Sequence, residues 1–487
     1  MKQIKGFLIL FIVALITVSC FEDLDDQPIT TNDINDFIWS GMNLFYLYKD
    51  DVPDLANNRF ANQEAYSNYL NGFSRPESLF ESLIYERPTI DRFSWIVDDF
   101  IALEESFKGV SITNGMEFQL YRFSSGNSAL FGLVTYVLPN THAQNQGITR
   151  GDIFYAVDGT SLNIDNYTQL LSQSSYTIDL GEYNTNDTDD TSDDSITPIN
   201  KSIALTKAQY DENPIYIHEV LEHNQKKIAY LMYNAFTGTE AYNQALNRTF
   251  GDFKNAAVTD LVLDLRYNSG GSVNSAILLA SLITGQFNGD IFCTEQWNSE
   301  IQATLEQEAP EQLINRFVNS LNGASLNSLN LSKVYVLTTG RSASASELVI
   351  NGLKPYIQVI QIGTTTAGKY QASTTLYDSS DFGRQGANPS HTYAMQPLIY
   401  KSLNADGETD YFNGLAPALE LGEQVNNMGV LGDVNEPLLA AALSTITGTA
   451  KKGTFKTYPL EIINSSNAFK TIQPGMHVNK PLSSILK

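Results

Sequence analysis

Hydrophobic positions along the chain change their period twice. From residue 31 to about 100, Ile34, Phe37, Ile38, Met42, Phe45 and Tyr48 recur at three- and four-residue steps behind Asn32 or Asp33 as the expected cap. That is the spacing of one buried helix face. Pro53, Pro76 and Pro88 punctuate the stretch beyond Tyr48, so a small helical bundle is expected there. From about 107 to 205 the apolar runs shorten to strand length, as at 131–137 and 153–157. From about 214 to 443 the runs 228–233, 261–266, 334–338 and 357–362 read as buried strands, with helices expected at 272–283 and from 347. Strands alternating with helices predict an α/β sheet.

Two of the strand-to-helix turns carry candidate chemistry. Gly340-Arg341-Ser342-Ala343-Ser344-Ala345-Ser346-Glu347 places a serine between a strand end and the free N–H groups of a helix start, where negative charge is favoured. The next strand leaves through a loop ending in Gly368-Lys369. Adjacent strand ends would bring Ser344 and Lys369 to one edge of the sheet, where such folds place ligands. A lysine can take a serine's proton only as a neutral amine, so Lys369 must be enclosed and without a close carboxylate. At the other turn, Tyr267-Asn268-Ser269-Gly270-Gly271 offers backbone N–H groups unobstructed by side chains.

These blocks resemble the C-terminal processing peptidases, also called tail-specific proteases, which are Ser/Lys serine peptidases. Residues 263–271 match that family's LDLRxNxGG turn, residues 342–347 its SASASE, and Gly368-Lys369 its GK, 25 residues beyond Ser344. The resemblance implies Ser344 as nucleophile, Lys369 as general base, and the N–H groups of Gly270 and Ala345 as the oxyanion hole. It also implies a crotonase/ClpP-like β/α peptidase core, closed by a strand at 411–417 and a helix after 431–439, and no cofactor or metal. The chain departs from the family where a glutamine usually orients the lysine. Ser373 stands at that position and Gln371 two residues before it, so the third member is open between them. Ala367 and Ser269 replace a usual aromatic and a proline.

Gly147 to Gly159, GITRGDIFYAVDG, resembles the PDZ domain of bacterial proteases, with a closing helix beginning in 165–171. PDZ domains bind C-terminal peptides by strand addition. The resemblance places the carrying loop near Asn114, Gly115, Met116, Glu117 and Phe118; the alternative is a barrel that only gates the cleft. The tract 184–194, NTNDTDDTSDD, lacks the order of a calcium loop and reads as a solvated loop.

Lys2 and Lys5, an apolar core over 7–18 and Cys20 after small residues resemble a bacterial lipoprotein signal; an ordinary secretory signal is the alternative. The acidic run 22–26 resembles export tags on surface lipoproteins of Bacteroidetes. Thirty basic against 54 acidic residues give a net charge of −24, which argues against nucleic acid and broad contact with anionic lipid. Cys293 is the second of two cysteines, so no disulfide framework is expected. His218 and His223, five apart, do not share a helix face as a zinc pair would.

The expected organisation is a signal peptide at 1–19, a lipidated tether at 20–30 and an N-terminal helical domain at 31–104. Next come a PDZ-like domain at 105–207, a Ser/Lys peptidase domain at 208–445 and an unassigned C-terminal extension at 446–487. The expected function is a serine endopeptidase cutting polypeptides with a free C-terminus near that end. It would act outside the cytoplasm, anchored to the bacterial outer membrane through Cys20. A degenerate peptide-binding lipoprotein of the same fold is the alternative, and a purely structural surface lipoprotein stands third.

Overall fold

The computed structural model describes residues 30–122, 127–186, 188, 193–449, 460–470 and 475–478. Cys20 and the signal segment lie outside the described residues, as does part of the acidic tract at 184–194.

The chain begins with helix α1 (Thr31–Phe45), whose Ile34, Phe37, Ile38, Met42 and Phe45 are buried. Its cap is Thr30, not Asn32 or Asp33. The Asp33 carboxylate instead reaches back to the Thr30 N–H at 2.8 Å, completing a reciprocal capping box. Tyr48 lies beyond the helix, beside a short 3-10 turn, and the bundle continues through Gln63–Leu70 and Pro76–Ser82.

A β domain comes next. Strands β1 (Met116–Arg122), β2 (Leu130–Val137), β3 (Ile153–Val157), β4 (Ser175–Asn184) and β5 (Ser195–Thr206) form one antiparallel sheet. Helix α2 (Tyr167–Ser172) sits where the sequence places a closing helix. Phe118, Leu120, Val134, Phe154, Val157, Leu171 and Ile178 fill the core of this domain.

The largest α/β unit is a six-stranded sheet. Strands β6 (Ile215–His223), β7 (Lys226–Tyr233), β8 (Asp260–Asp264), β9 (Lys333–Thr338), β10 (Gln358–Gly363) and β11 (Leu419–Glu420) pair in that order. All neighbours run parallel except β6 with β7. Helix α3 (Glu240–Asn255) makes the parallel crossover from β7 to β8. Alternate residues of β8 and β9 separate cleanly. Leu261, Leu263, Val334 and Val336 face a core shared with α4 (Val273–Ile283), α5 (Ala345–Leu353) and α1. Val262, Tyr335 and Leu337 face α6 (Pro437–Thr447) on the other side. This two-residue alternation is what a sheet covered on both faces requires.

One further sequence expectation changes, and two open points gain a place in the fold. Residues 411–417 are irregular, and the closing strand is Leu419–Glu420. Gly414 adopts φ +84°, and a Cβ there would lie 2.0 Å from the Thr366 carbonyl oxygen, so this stretch packs by close backbone approach instead of a ladder. His218 and His223 lie on strand β6, not on a helix. The unassigned C-terminal extension has two places: β12 (Glu461–Ser465) pairs antiparallel with β1, and residues 475–478 run into the α/β unit. Among the described residues no helix is long and apolar enough to cross a membrane.

Candidate active site

Strands β9 and β10 are hydrogen-bonded neighbours, with Thr338 opposite Gly363, so both chains leave the sheet at the same edge. The turn after β9 is pinned before it reaches Ser344. The Ser342 hydroxyl donates to the Leu265 carbonyl at 2.8 Å, and the Ala343 N–H donates to the Asn268 carbonyl at 3.1 Å. Beyond Ser344, the Ser346 hydroxyl donates to that same Asn268 carbonyl at 3.0 Å. The serines flanking position 344 therefore fasten this turn to the one after β8.

Ser344 itself is the N-cap of α5, with φ +66° and ψ −115°. That conformation is strained for a residue with a Cβ and persists where surrounding bonds enforce it. Gly270 leaves room for it: at φ +114°, a Cβ on Gly270 would lie 2.6 Å from the Ser344 Cβ. The Gly270 N–H is held by Asn268 Oδ1 at 2.9 Å.

The loop from β10 brings Lys369 to the same place. The residue is 5% exposed, with Nζ 5.0 Å from the centre of the Phe93 ring. Among the described residues no carboxylate lies within ion-pair distance of this amine. Burial pushes the ammonium down to about 8, against smaller opposing pulls from Asp91 and Glu347.

Glu347, whose role sequence reasoning missed, binds the two loops together. Its buried carboxylate accepts the N–H of Ser344 (2.7 Å), of Gly368 (2.7 Å) and of Lys369 (2.8 Å), and the Thr366 hydroxyl (2.5 Å). Burial raises its pKa, while those four donors oppose the rise. Its place three residues after Ser344, the capping-box position, was the available signal.

Ser344 and Lys369 meet over one dipeptide of the C-terminal segment. The Met476 N–H donates to Ser344 Oγ at 2.5 Å. A Cβ built on Gly475 would fall 2.0 Å from Lys369 Nζ, so the amine lies directly against Gly475. His477, also buried here, stacks on Phe107 with ring centres 4.2 Å apart, and burial lowers its pKa to about 4.

The remaining candidates are divided. Ser373 lies in this cleft, its Oγ 2.8 Å from Gln396 Oε1 and 3.1 Å from the Met476 carbonyl oxygen. Gln371 points elsewhere, donating to the Tyr48 hydroxyl at 2.9 Å. Asn114 and Gly115 form the loop entering β1; Asn114 donates to the Tyr176 hydroxyl and accepts the Met116 N–H. Glu117 accepts from Ser466 and Lys470 of the C-terminal segment. Phe118 stacks on Phe469. Among the described residues no group of three His, Cys, Asp or Glu could hold a metal ion.

Comparison with known proteins bears on the family and the fold. Residues 227–387 match the model of Peptidase family S41, and residues 33–95 match the Peptidase S41 N-terminal domain. The chain is similar to a protein of Bacteroides fragilis assigned to the S41 proteases. The two are 27% identical with a TM-score of 0.64, over 85% of this chain and 98% of that one. A photosystem II D1 C-terminal processing protease aligns at 17% identity and a TM-score of 0.47, over 82% of this chain and 95% of that one. No curated protein matches. With both S41 models in order along it and an S41 protease sharing its fold, the chain belongs to peptidase family S41, the C-terminal processing peptidases, and is a serine-type peptidase.

Proposed function

We propose that the protein is a Ser/Lys endopeptidase that cuts polypeptides near their C-termini outside the cytoplasm. One observation carries the reading: the Ser344 hydroxyl and the buried Lys369 amine converge on one backbone dipeptide, Gly475-Met476. Neutral Lys369 takes the Ser344 proton as Oγ attacks the substrate carbonyl, then passes it to the leaving amine. The N–H groups of Gly270 and Ala345 receive the oxyanion. Because Asn268 Oδ1 holds the Gly270 N–H, that donor must turn towards the substrate as the site fills. Ser373 is the better of the two candidates for steadying the lysine side of the cleft, since it lies there and Gln371 does not.

The β domain is read as PDZ-like. Its strand β1 already accepts an added antiparallel strand on its outer edge, the mode by which such domains take peptides. The N-terminal signal, with Cys20 as its lipid-bearing residue, would hold the enzyme on the outer membrane.

Digestion of an unfolded protein by the purified chain tests the mechanism. Lys369→Ala and Ser344→Ala are each expected to lose at least about a hundredfold in rate. Lys369→Arg should be equally inactive, because a guanidinium stays protonated. Identical digestion by all variants would exclude the mechanism. The engaged Gly270 N–H favours a second reading, a peptide receptor that grips without cutting. That reading requires tight binding of a C-terminal peptide with no Ser344-dependent cleavage of it.

A further inference from the structure

Residues 475–478 lie in the cleft between two other segments, bridged to Ser272 on one side and Ser373 on the other through His477. On one side the His477 N–H donates to the Gly271 carbonyl (3.1 Å), and the His477 carbonyl accepts the Val273 N–H (3.1 Å) at the start of α4. On the other side the Ser373 N–H donates to the Met476 carbonyl (3.0 Å), and the Val478 N–H donates to the Ser373 carbonyl (3.0 Å). Thr374 Oγ1 adds a bond to the Val478 carbonyl at 3.0 Å. Met476 and Val478 are 0% and 5% exposed, within the same core as α4 and α5. This seat is built for an extended backbone, which is the form a polypeptide substrate presents.

Its present occupant is poorly placed to be cut. Attack on a carbonyl carbon comes over the face of the amide, whereas an N–H donor meets its acceptor within the amide plane. Ser344 Oγ accepts the Met476 N–H, so it lies near the plane of the Gly475–Met476 amide. The lysine amine is backed against the Gly475 Cα. The segment is tethered a short distance upstream. There β12 pairs with β1, Phe469 stacks on Phe118, and Lys470 binds Glu117 at 2.9 Å.

From this geometry we infer that residues 475–478 plug the active site in cis, and that an incoming extended polypeptide must displace them from the seat between Gly271–Val273 and Ser373–Thr374. This rests on the Ser344–Lys369 reading. The tail is a competitive, uncleaved stand-in whose local concentration is fixed by its own tether. Side chains that come after the cut in a substrate would take the places of Met476 and Val478, so apolar residues are favoured there.

Two variants test it: a chain ending at Lys470, and full-length Met476→Pro, which lacks the N–H that Ser344 accepts. Both should digest subsaturating unfolded substrate about tenfold faster than the full chain, as expected if about nine molecules in ten are plugged. A peptide of residues 471–482, added to the chain ending at Lys470, should restore the slow rate. Its fluorescein-labelled form should bind that chain saturably by anisotropy. Unchanged rates in both variants, with Ser344→Ala still inactive, would overturn the plug and leave the enzyme reading intact. An intact mass showing Ser344-dependent loss of the residues after Gly475 would also overturn it, since the tail would then be a substrate. Saturable binding with no digestion by any version would keep the plug and sink the dyad. Absence of peptide binding would overturn the plug by itself.

Discussion

Glu347 never needs to touch a substrate, yet both halves of the site hang from its carboxylate. Glu347→Ala leaves four buried donors without a partner, at about 1–3 kcal/mol each where nothing relaxes. Urea unfolding should therefore show a loss of at least about 3 kcal/mol, with activity falling further than the remaining folded fraction explains. Glu347→Gln should fare better on stability. It still presents donors where acceptors are needed, so peptidase activity should stay low. On the proposed mechanism the Lys369 amine would set the pH response. Only its neutral form would accept the Ser344 proton, and burial pushes its pKa down to about 8. The rate should rise about tenfold per pH unit from about 6 towards 8 and level off above. A flat profile from about pH 6 to 9 would contradict a lysine base. That Ser344 and Lys369 reach one edge of the sheet was legible in the sequence, because each follows one of two consecutive strands. Glu347 stood in the same motif, but its partners Thr366, Gly368 and Lys369 gather around it only once β9 and β10 pair.

At the scale of elements, the turn after β8 is locked by a buried ionic cluster. Arg266, 0% exposed, lies 2.8 Å from Asp264, 2.7 Å from Glu436 and 3.2 Å from Glu423. Glu436 also caps α6, accepting the Leu439 N–H at 2.8 Å. Arg266 thus ties the strand that leads into Gly270 to the helix on the opposite face. Arg266→Met would leave three carboxylates without this partner and should cost about 3–5 kcal/mol by urea denaturation. Burial alone would raise Glu423, but Arg150 and Arg266 outweigh it and hold it at about 2. Its contribution to stability is complete above its ordinary value of 4.5 and is lost as pH falls through about 2. The strands and helices of the sheet were legible because two covering layers bury both faces of each strand and so dictate continuous apolar runs. The Thr30 cap and the irregular 411–417 stretch were not. Each depends on a partner that local pattern does not name: Asp33 reaching backwards, and the 366 backbone pressed against Gly414.

Across the whole molecule, the N-terminal bundle supplies part of the active-site wall. Arg92 donates to the Gly368 carbonyl at 3.1 Å, and Phe93 faces the lysine amine. The bundle is therefore packed against the peptidase unit and is not an independent appendage. The proposed lipid anchor at Cys20 is a separate matter and lies outside the described residues. Cys20→Ser should abolish incorporation of labelled palmitate and shift the protein from the membrane to the soluble fraction. Unaltered labelling would remove the lipid anchor from the account. The C-terminal extension was the least legible part, since its order comes from surfaces far away in sequence: β1 for one half and the cleft for the other. Strand β12 has one more consequence. It covers a border of the β domain that would otherwise present a row of bare amide hydrogens and carbonyls, a template for another molecule's backbone. Molecules shortened before residue 460 should self-associate at high concentration in ways that those ending at Lys470 do not, so solubility would part company with catalytic release.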